Sequence, residues 1–129
     1  MKTKSKNKKN NKTQNWLFVI LWMLIIFFFS HQPGLASGLS GDWDFVLRKM
    51  AHITEYAVLC FLLVRVIGEY KVSFKKTIIF SILISIIYAI SDEYHQTFIF
   101  ARQGNLRDIL IDSFGVLLFA WWWIRKMVK

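Results

Sequence analysis

The sequence predicts an all-α fold: an integral membrane four-helix bundle with its N and C termini cytoplasmic. Composition is the first ground. The chain has 129 residues, of which 55% are hydrophobic and 17% aromatic. Mean hydropathy is +0.38, although the first stretch of the chain is almost wholly polar. A small soluble domain leaves much of its surface in water and needs polar residues to cover it. Outside its tail this chain has too few. The second ground is a set of four apolar runs, and the third is where Lys and Arg stand against them. A single cysteine, Cys60 in an apolar run, excludes a disulfide scaffold.

Residues 1–15 form a basic cytoplasmic tail carrying Lys2, Lys4, Lys6, Lys8, Lys9 and Lys12. Near a membrane surface each lysine attracts anionic lipid by roughly 1 kcal/mol. Residues 16–129 form the membrane domain. Its first run, 16–30, predicts a span at about 16–32. A helix of a soluble bundle keeps a polar face, and Trp16 to Phe29 offers none. A signal peptide competes for this run, with a Lys-rich start and with Gly34 and Ala36 spaced for cleavage. The expectation is that the segment is retained. The second run, 51–67, predicts a span at about 50–68, and the third, 77–91, one at about 76–92. The fourth, 109–124, predicts a span at about 108–125, with Trp121, Trp122 and Trp123 placed as an interfacial belt. Each run is short against a usual span of about 17–25 residues. Helix ends are therefore expected to recruit flanking polar residues, or the bilayer to thin.

Topology follows from the basic residues. The Lys tail, the group Lys71, Lys75 and Lys76, and the group Arg125, Lys126 and Lys129 fall on one side of a four-span chain. That side is cytoplasmic by the positive-inside rule. The loops holding Asp42 and Asp44, and Asp92, Glu93 and Asp108, then lie outside. Although the net charge is +9, these basic groups abut apolar runs, and no basic helix is left to enter a nucleic-acid groove. No nucleic-acid partner is expected. Membrane lipids are.

The polar residues that a plain anchor does not need gather at one level. Arg48, His52, Glu55 and Tyr56 stand at i, i+4, i+7 and i+8 on one helix stripe. Asp92, His95 and Gln96 share a face, and Asp108, Asp112 and Gly115 follow at i, i+4 and i+7. A carboxylate inside a span costs about 2.5–3.5 kcal/mol at the centre and less near the edge. Glu55 and Asp112 should therefore face the bundle and pair, with Arg48, Arg102 and Arg107 as available partners. Asp92 and Glu93 near a helix C-terminus, and Arg48 and Lys49 near an N-terminus, both oppose the helix dipole. Crossed pairs between the two ends are expected to repair this. Asp108 reads as an N-cap. Such charge serves either to fix helix partners or to line a functional pocket, and the number of groups at one level favours the pocket. His31 reads as a wet residue at the first span's edge. A metal set of His52, Glu55, Asp92 and His95 is weighed and set aside, because no HExxH or cysteine spacing supports it. Ser30 and Ser91 lack a nucleophile-elbow context. No phosphate-binding glycine loop occurs, so no cofactor is expected.

These residues resemble the VanZ family of small bacterial membrane proteins. The resemblance rests on Ser30-His31-Gln32-Pro33-Gly34, on Lys49-Met50-Ala51-His52 with Glu55-Tyr56, and most of all on Ser91-Asp92-Glu93-Tyr94-His95-Gln96 followed by Arg102 and Asp108 to Gly115. It covers roughly residues 30–120. His31 stands where the family tends to have a second serine. The resemblance implies a cell-envelope role. The founding member is linked to low-level resistance to teicoplanin, a glycopeptide with a lipid tail. On this reading the chain sits in the cell membrane as a multi-pass protein and acts on or binds an anionic lipid-linked cell-wall precursor or a lipidated antibiotic at the outer leaflet. Candidate acid–base residues are His52, Glu55, Asp92, Glu93 and His95. Candidate ligand-binding residues are Arg48, Lys49, Tyr56, Gln96, Arg102, Arg107, Asp108 and Asp112. Whether it is an enzyme stays open. The alternative is a non-catalytic helix-bundle subunit of another envelope protein. A small transporter ranks last, since the four runs show no inverted repeat.

Overall fold

A computed structural model describes residues 2–32 and 38–129, and the side chains from residue 11 onward within them. Four helices follow one another: α1 Lys2–His31, α2 Gly41–Ile67, α3 Phe74–Gln96 and α4 Leu106–Val128. There is no strand among the described residues. The all-α bundle is as the sequence predicts. The proposed cleavage positions Gly34 and Ala36 lie outside the described residues.

Every helix outruns its apolar run, because the polar flanks continue it. The Lys-rich tail is helical from Lys2 and runs without a break into α1. With 23 residues, α3 is about 34 Å long, against a hydrocarbon core of about 30 Å. Three helical stretches, Asn11–His31, Gly41–Ile67 and Phe74–Gln96, are long and apolar enough to cross a membrane. α4 equals α3 in length but carries Arg107, Asp108 and Asp112 near one end and Arg125 and Lys126 near the other. It nevertheless turns an apolar stripe outward: Leu110, Phe114, Leu117, Leu118 and Trp121 are all exposed.

Helix starts differ from expectation in two places. α2 begins at Gly41, so Asp42 and Asp44 occupy its first turn and suit the dipole. Arg48 and Lys49 lie about two turns in, where the dipole no longer disfavours them. α4 is capped by Asn105, whose side chain accepts from the Arg107 N–H at 3.0 Å. Asp108 is therefore a first-turn residue rather than the N-cap, and it is left with its carboxylate for another partner.

Buried positions recur at helical spacing. On α3 they are Thr77, Ser81, Ser85, Ala89 and Glu93, each four residues from the last. The hydroxyls of Thr77, Ser81 and Ser85 each donate to the carbonyl four residues back. The side chains are thus small and internally satisfied, which lets helices approach closely without water. On α4 the buried stripe is Asp112, Val116 and Ala120, with Gly115 beside it. On α2 it is Tyr56, Leu59, Cys60, Leu63 and Val64. A Cβ built on Gly115 would stand 3.0 Å from the backbone Cα and carbonyl carbon of Ile53 and nearer still to its oxygen. α2 and α4 therefore touch backbone to backbone, one residue from His52.

α1 is attached differently. Val19 and Ile26 enter the core, and the polar ties in the middle of the helix use main-chain acceptors. Trp22 Nε1 donates to the Glu55 carbonyl at 2.9 Å. Tyr88 donates its hydroxyl to the Met23 carbonyl at 2.6 Å. At the basic end Trp16 Nε1 donates to the Tyr70 hydroxyl at 2.9 Å, and Asn15 bridges Glu69 and Arg65. Lys126 sits 5.1 Å over the Trp122 ring and Arg125 5.4 Å from the Trp121 ring, which ties the aromatic belt to the basic flank.

Candidate functional site

At the end of the bundle opposite the basic flanks, the buried stripes of α2, α3 and α4 do not finish in apolar residues. They finish in His52 and Tyr56, in Asp92 and Glu93, and in Asp112. The helix period alone puts these groups on core-facing positions. Three carboxyl groups therefore enter the core from two helices: Asp92, Glu93 and Asp112 are 4%, 2% and 0% exposed.

Each finds at least one partner on a different element. The Tyr56 hydroxyl donates to Asp92 Oδ2 at 3.1 Å, and Gln96 Nε2 donates to the same oxygen at 3.3 Å. His52 Nδ1 lies 3.1 Å from Asp112 Oδ1. Glu93 Oε2 accepts from the Asn105 backbone N–H at 3.1 Å. That bond fixes the α3–α4 loop against α3, and Gly104 packs so tightly there that a Cβ would collide with the Glu93 carbonyl oxygen. Ala101 in this loop holds a left-handed φ of 61°, a conformation that costs a non-glycine residue about 1 kcal/mol or more. The next residue, Arg102, is aimed back at α1. Its Nε donates to the Gln32 carbonyl and its Nη2 to the Phe29 carbonyl, both at 3.0 Å. Arg102 thus closes the C-terminus of α1, where free carbonyls and the dipole favour a cation.

The expected crossed pairs do not form. Arg48 Nε binds Asp44 Oδ2 at 3.0 Å, one turn back on its own helix, because α2 starts early enough to hold Asp44. Lys49 Nζ binds Asp108 Oδ1 on α4. Asp112 pairs with His52 rather than with an arginine. Arg107 is exposed at the surface, its guanidinium 5.6 Å from the Phe45 ring. The dipole conflict of Asp92 and Glu93 is relieved by neutral donors, Tyr56, Gln96 and the Asn105 N–H.

A cavity of about 330 Å³ opens beside this cluster. Its apolar side comes from Ile26 and Phe29 of α1, with Ala51. Its polar side comes from Arg48, His52, Glu55, Asp92 and Arg102. Buried Ser30 also faces it, with a hydroxyl that has no hydrogen-bond partner among the described residues. A second cavity of about 200 Å³ shares Arg48, His52 and Arg102 and adds Lys49, Gln96, Arg107 and Asp108. Of the residues singled out in the sequence, only Tyr56, Glu93, His95 and Asp112 line neither cavity. The first, second and last of these stand directly behind the walls. His95 stands apart with His31: their ring nitrogens are 3.2 Å from each other, and both rings pack on Phe27. His31 is exposed at the end of α1, as the sequence predicts, but its contact with His95 is not foreseen there. Its pairing depends on α1 meeting α3, which no local spacing signals. Asn105 and Gly104 were missed as well. An Asn before a helical run, three residues from an Asp, was the available cue for the cap.

A family model described as VanZ/LLP1 matches residues 15–127 of the chain. No curated protein and no solved structure matches it.

Proposed function

We propose, from the premise that this chain belongs to the VanZ/LLP1 family, that it takes the polar head of an amphiphilic envelope molecule into the cavity at the polar end of the bundle. The observation that carries this is the cavity's two-sided lining. Ile26 and Phe29 offer an apolar wall continuous with the outer face of α1, where Phe28 and Phe29 are exposed. Across from it stand two guanidinium groups, an imidazole and two carboxylates. Arg forks suit phosphate or carboxylate, and the carboxylates suit hydroxyl or amine donors beside that anion. A lipid-linked cell-wall precursor or a lipidated glycopeptide such as teicoplanin carries all three features. The half-exposed Arg48 is the residue placed to meet the anion first, and His52, Glu55 and Asp92 are within the cavity for any proton transfer.

Purified chain in detergent should bind teicoplanin or phosphatidylglycerol, read by native mass spectrometry. Arg48→Ala should weaken binding about 10-fold or more, since a hydrogen bond to a charged group contributes about 1.5–3 kcal/mol. Equal binding by Arg48→Ala and the parent chain would remove the cavity from the account. Loss of teicoplanin tolerance in a host expressing Arg48→Ala at normal abundance is the cellular counterpart. The second reading, a non-catalytic subunit of an envelope complex, draws support from Arg102, Asp92 and Glu93, whose bonds join helices and loops. It gains if neither probe binds.

The proposal places the chain in the cell membrane with four crossings, both termini cytoplasmic and the cavity outside. Cysteines at Gly41 and Gln103 should then react with an impermeant thiol reagent in intact cells, and one at Lys75 should not. Labelling of Lys75→Cys with Gly41→Cys protected reverses the orientation.

A further inference from the structure

We propose that His52, Glu93 and Asp112 form a binding site for one divalent metal cation, zinc or manganese, in the core behind the cavity. Each residue offers one ligand atom, from α2, α3 and α4 respectively, and these atoms lie within 4.8 Å of one another. Around an ion with ligands at about 2.0–2.2 Å, ligand pairs span about 3–4.3 Å. Shifts of a few tenths of an ångström close the difference.

Two further observations point to a ligand rather than to mere charge. Glu93 Oε1 and Asp112 Oδ2 are buried and have no hydrogen-bond partner among the described residues, on side chains that are 2% and 0% exposed. A buried carboxylate oxygen left unsatisfied is costly, and native structures rarely leave one without a reason. Nor does a neighbouring lysine or arginine serve them among the described residues. Arg48 is engaged by Asp44, Lys49 by Asp108, and Arg102 by the α1 carbonyls. A divalent ion would neutralise both carboxylates at once. The other oxygen of Glu93 is held by the Asn105 N–H, the kind of outer bond that orients a ligand. The 3.1 Å contact of His52 Nδ1 with Asp112 Oδ1 equally fits two lone pairs converging on one ion. One imidazole with two carboxylates suits zinc, manganese or ferrous iron better than calcium or a soft monovalent ion. Because His52 also lines both cavities, the ion would keep a side open to solvent or ligand.

The test uses the full chain in detergent, stripped with a chelator and titrated with zinc or manganese alone, without lipid. Its failure leaves the Arg48 binding result standing, and the reverse also holds. One ion per chain should survive desalting, with a raised unfolding temperature. Glu93→Gln and Asp112→Asn should each lower metal affinity by at least about 10-fold, the lower bound seen when even an outer-shell partner is lost. Asp108→Asn, which sits one turn outward on Lys49, should not. The His31–His95 pair is the rival zinc site, so His95→Ala should also bind normally. Binding lost with His95→Ala but kept in Glu93→Gln overturns the proposal, as does no stoichiometric metal in the parent chain. Should the carboxylate variants fail to fold, X-ray absorption of the zinc-loaded parent decides. One nitrogen among oxygen ligands supports the site, and two imidazoles overturn it.

Discussion

Gly115→Ala lowers the stability of the bundle by about 2 kcal/mol, and Gly115→Leu leaves almost no folded protein in the membrane. Two effects oppose each other in the alanine variant. Alanine is a better helix former than glycine by about 1 kcal/mol. Overpacking costs about 1–3 kcal/mol and occasionally more, and here it falls at the top of that range because the obstacle is backbone. The new methyl meets the Ile53 main chain, which is hydrogen-bonded within α2 and has no rotamer to change. α4 must move outward, and the His52–Asp112 contact one turn away stretches with it. Thermal unfolding in detergent measures the alanine variant, and membrane abundance measures the leucine one. Gly41→Ala is the control, since nothing lies within 4 Å of a Cβ there. Its stability should stay within about 0.5 kcal/mol. A Gly115→Ala protein as stable as Gly41→Ala means that α2 and α4 are farther apart than described.

His52→Ala costs about 3–5 kcal/mol in metal-free buffer, the range for removing one partner of a buried pair. The loss is dominated by what remains. Asp112 is fully buried, and without the imidazole neither of its oxygens has a partner. The complementary change, Asp112→Ala, should cost less, because half-buried His52 borders both cavities and can reach water. The double variant should be more stable than His52→Ala alone. This ordering is the test: if the double variant is the least stable of the three, the two residues act independently and the pair is not what holds α2 to α4 at this level.

The all-α bundle and the level of its polar cluster were legible because both follow from the helix period. His52 with Tyr56, Asp92 with Gln96 and Asp108 with Asp112 are each four apart, so each pair declares its face without knowledge of the fold. Pairing was not legible, for two physical reasons. The first is helix length. Placing the second span at about 50–68 set Arg48 and Lys49 at a helix start, where they needed acids from elsewhere. A start at Gly41 gives Arg48 its own Asp44 one turn away. The second is that main-chain acceptors have no sequence signature. Arg102 was read as a partner for carboxylates, and its bonds go to the carbonyls of Phe29 and Gln32. His31 is wet as expected, but its contact with His95, 64 residues away in the chain, has no local signal. The helical tail is not legible because its Asn, Ser and Thr are poor helix formers and its lysines repel one another.

The attachment of α1 through carbonyls bears on how this protein tolerates change. A carbonyl is the same at every position, so what Tyr88 and Arg102 read on α1 is independent of which residues α1 carries there. At these two contacts the information that docks the helix is written on the other elements. In a scan of all substitutions, Met23 and Phe29 should accept most apolar residues, while their donors Tyr88 and Arg102 accept few. Trp22, which donates its own side chain to α2, should be the exception among its neighbours. The outer face of α1 is thereby free to drift with the lipid or partner it meets, without loss of the seat it occupies.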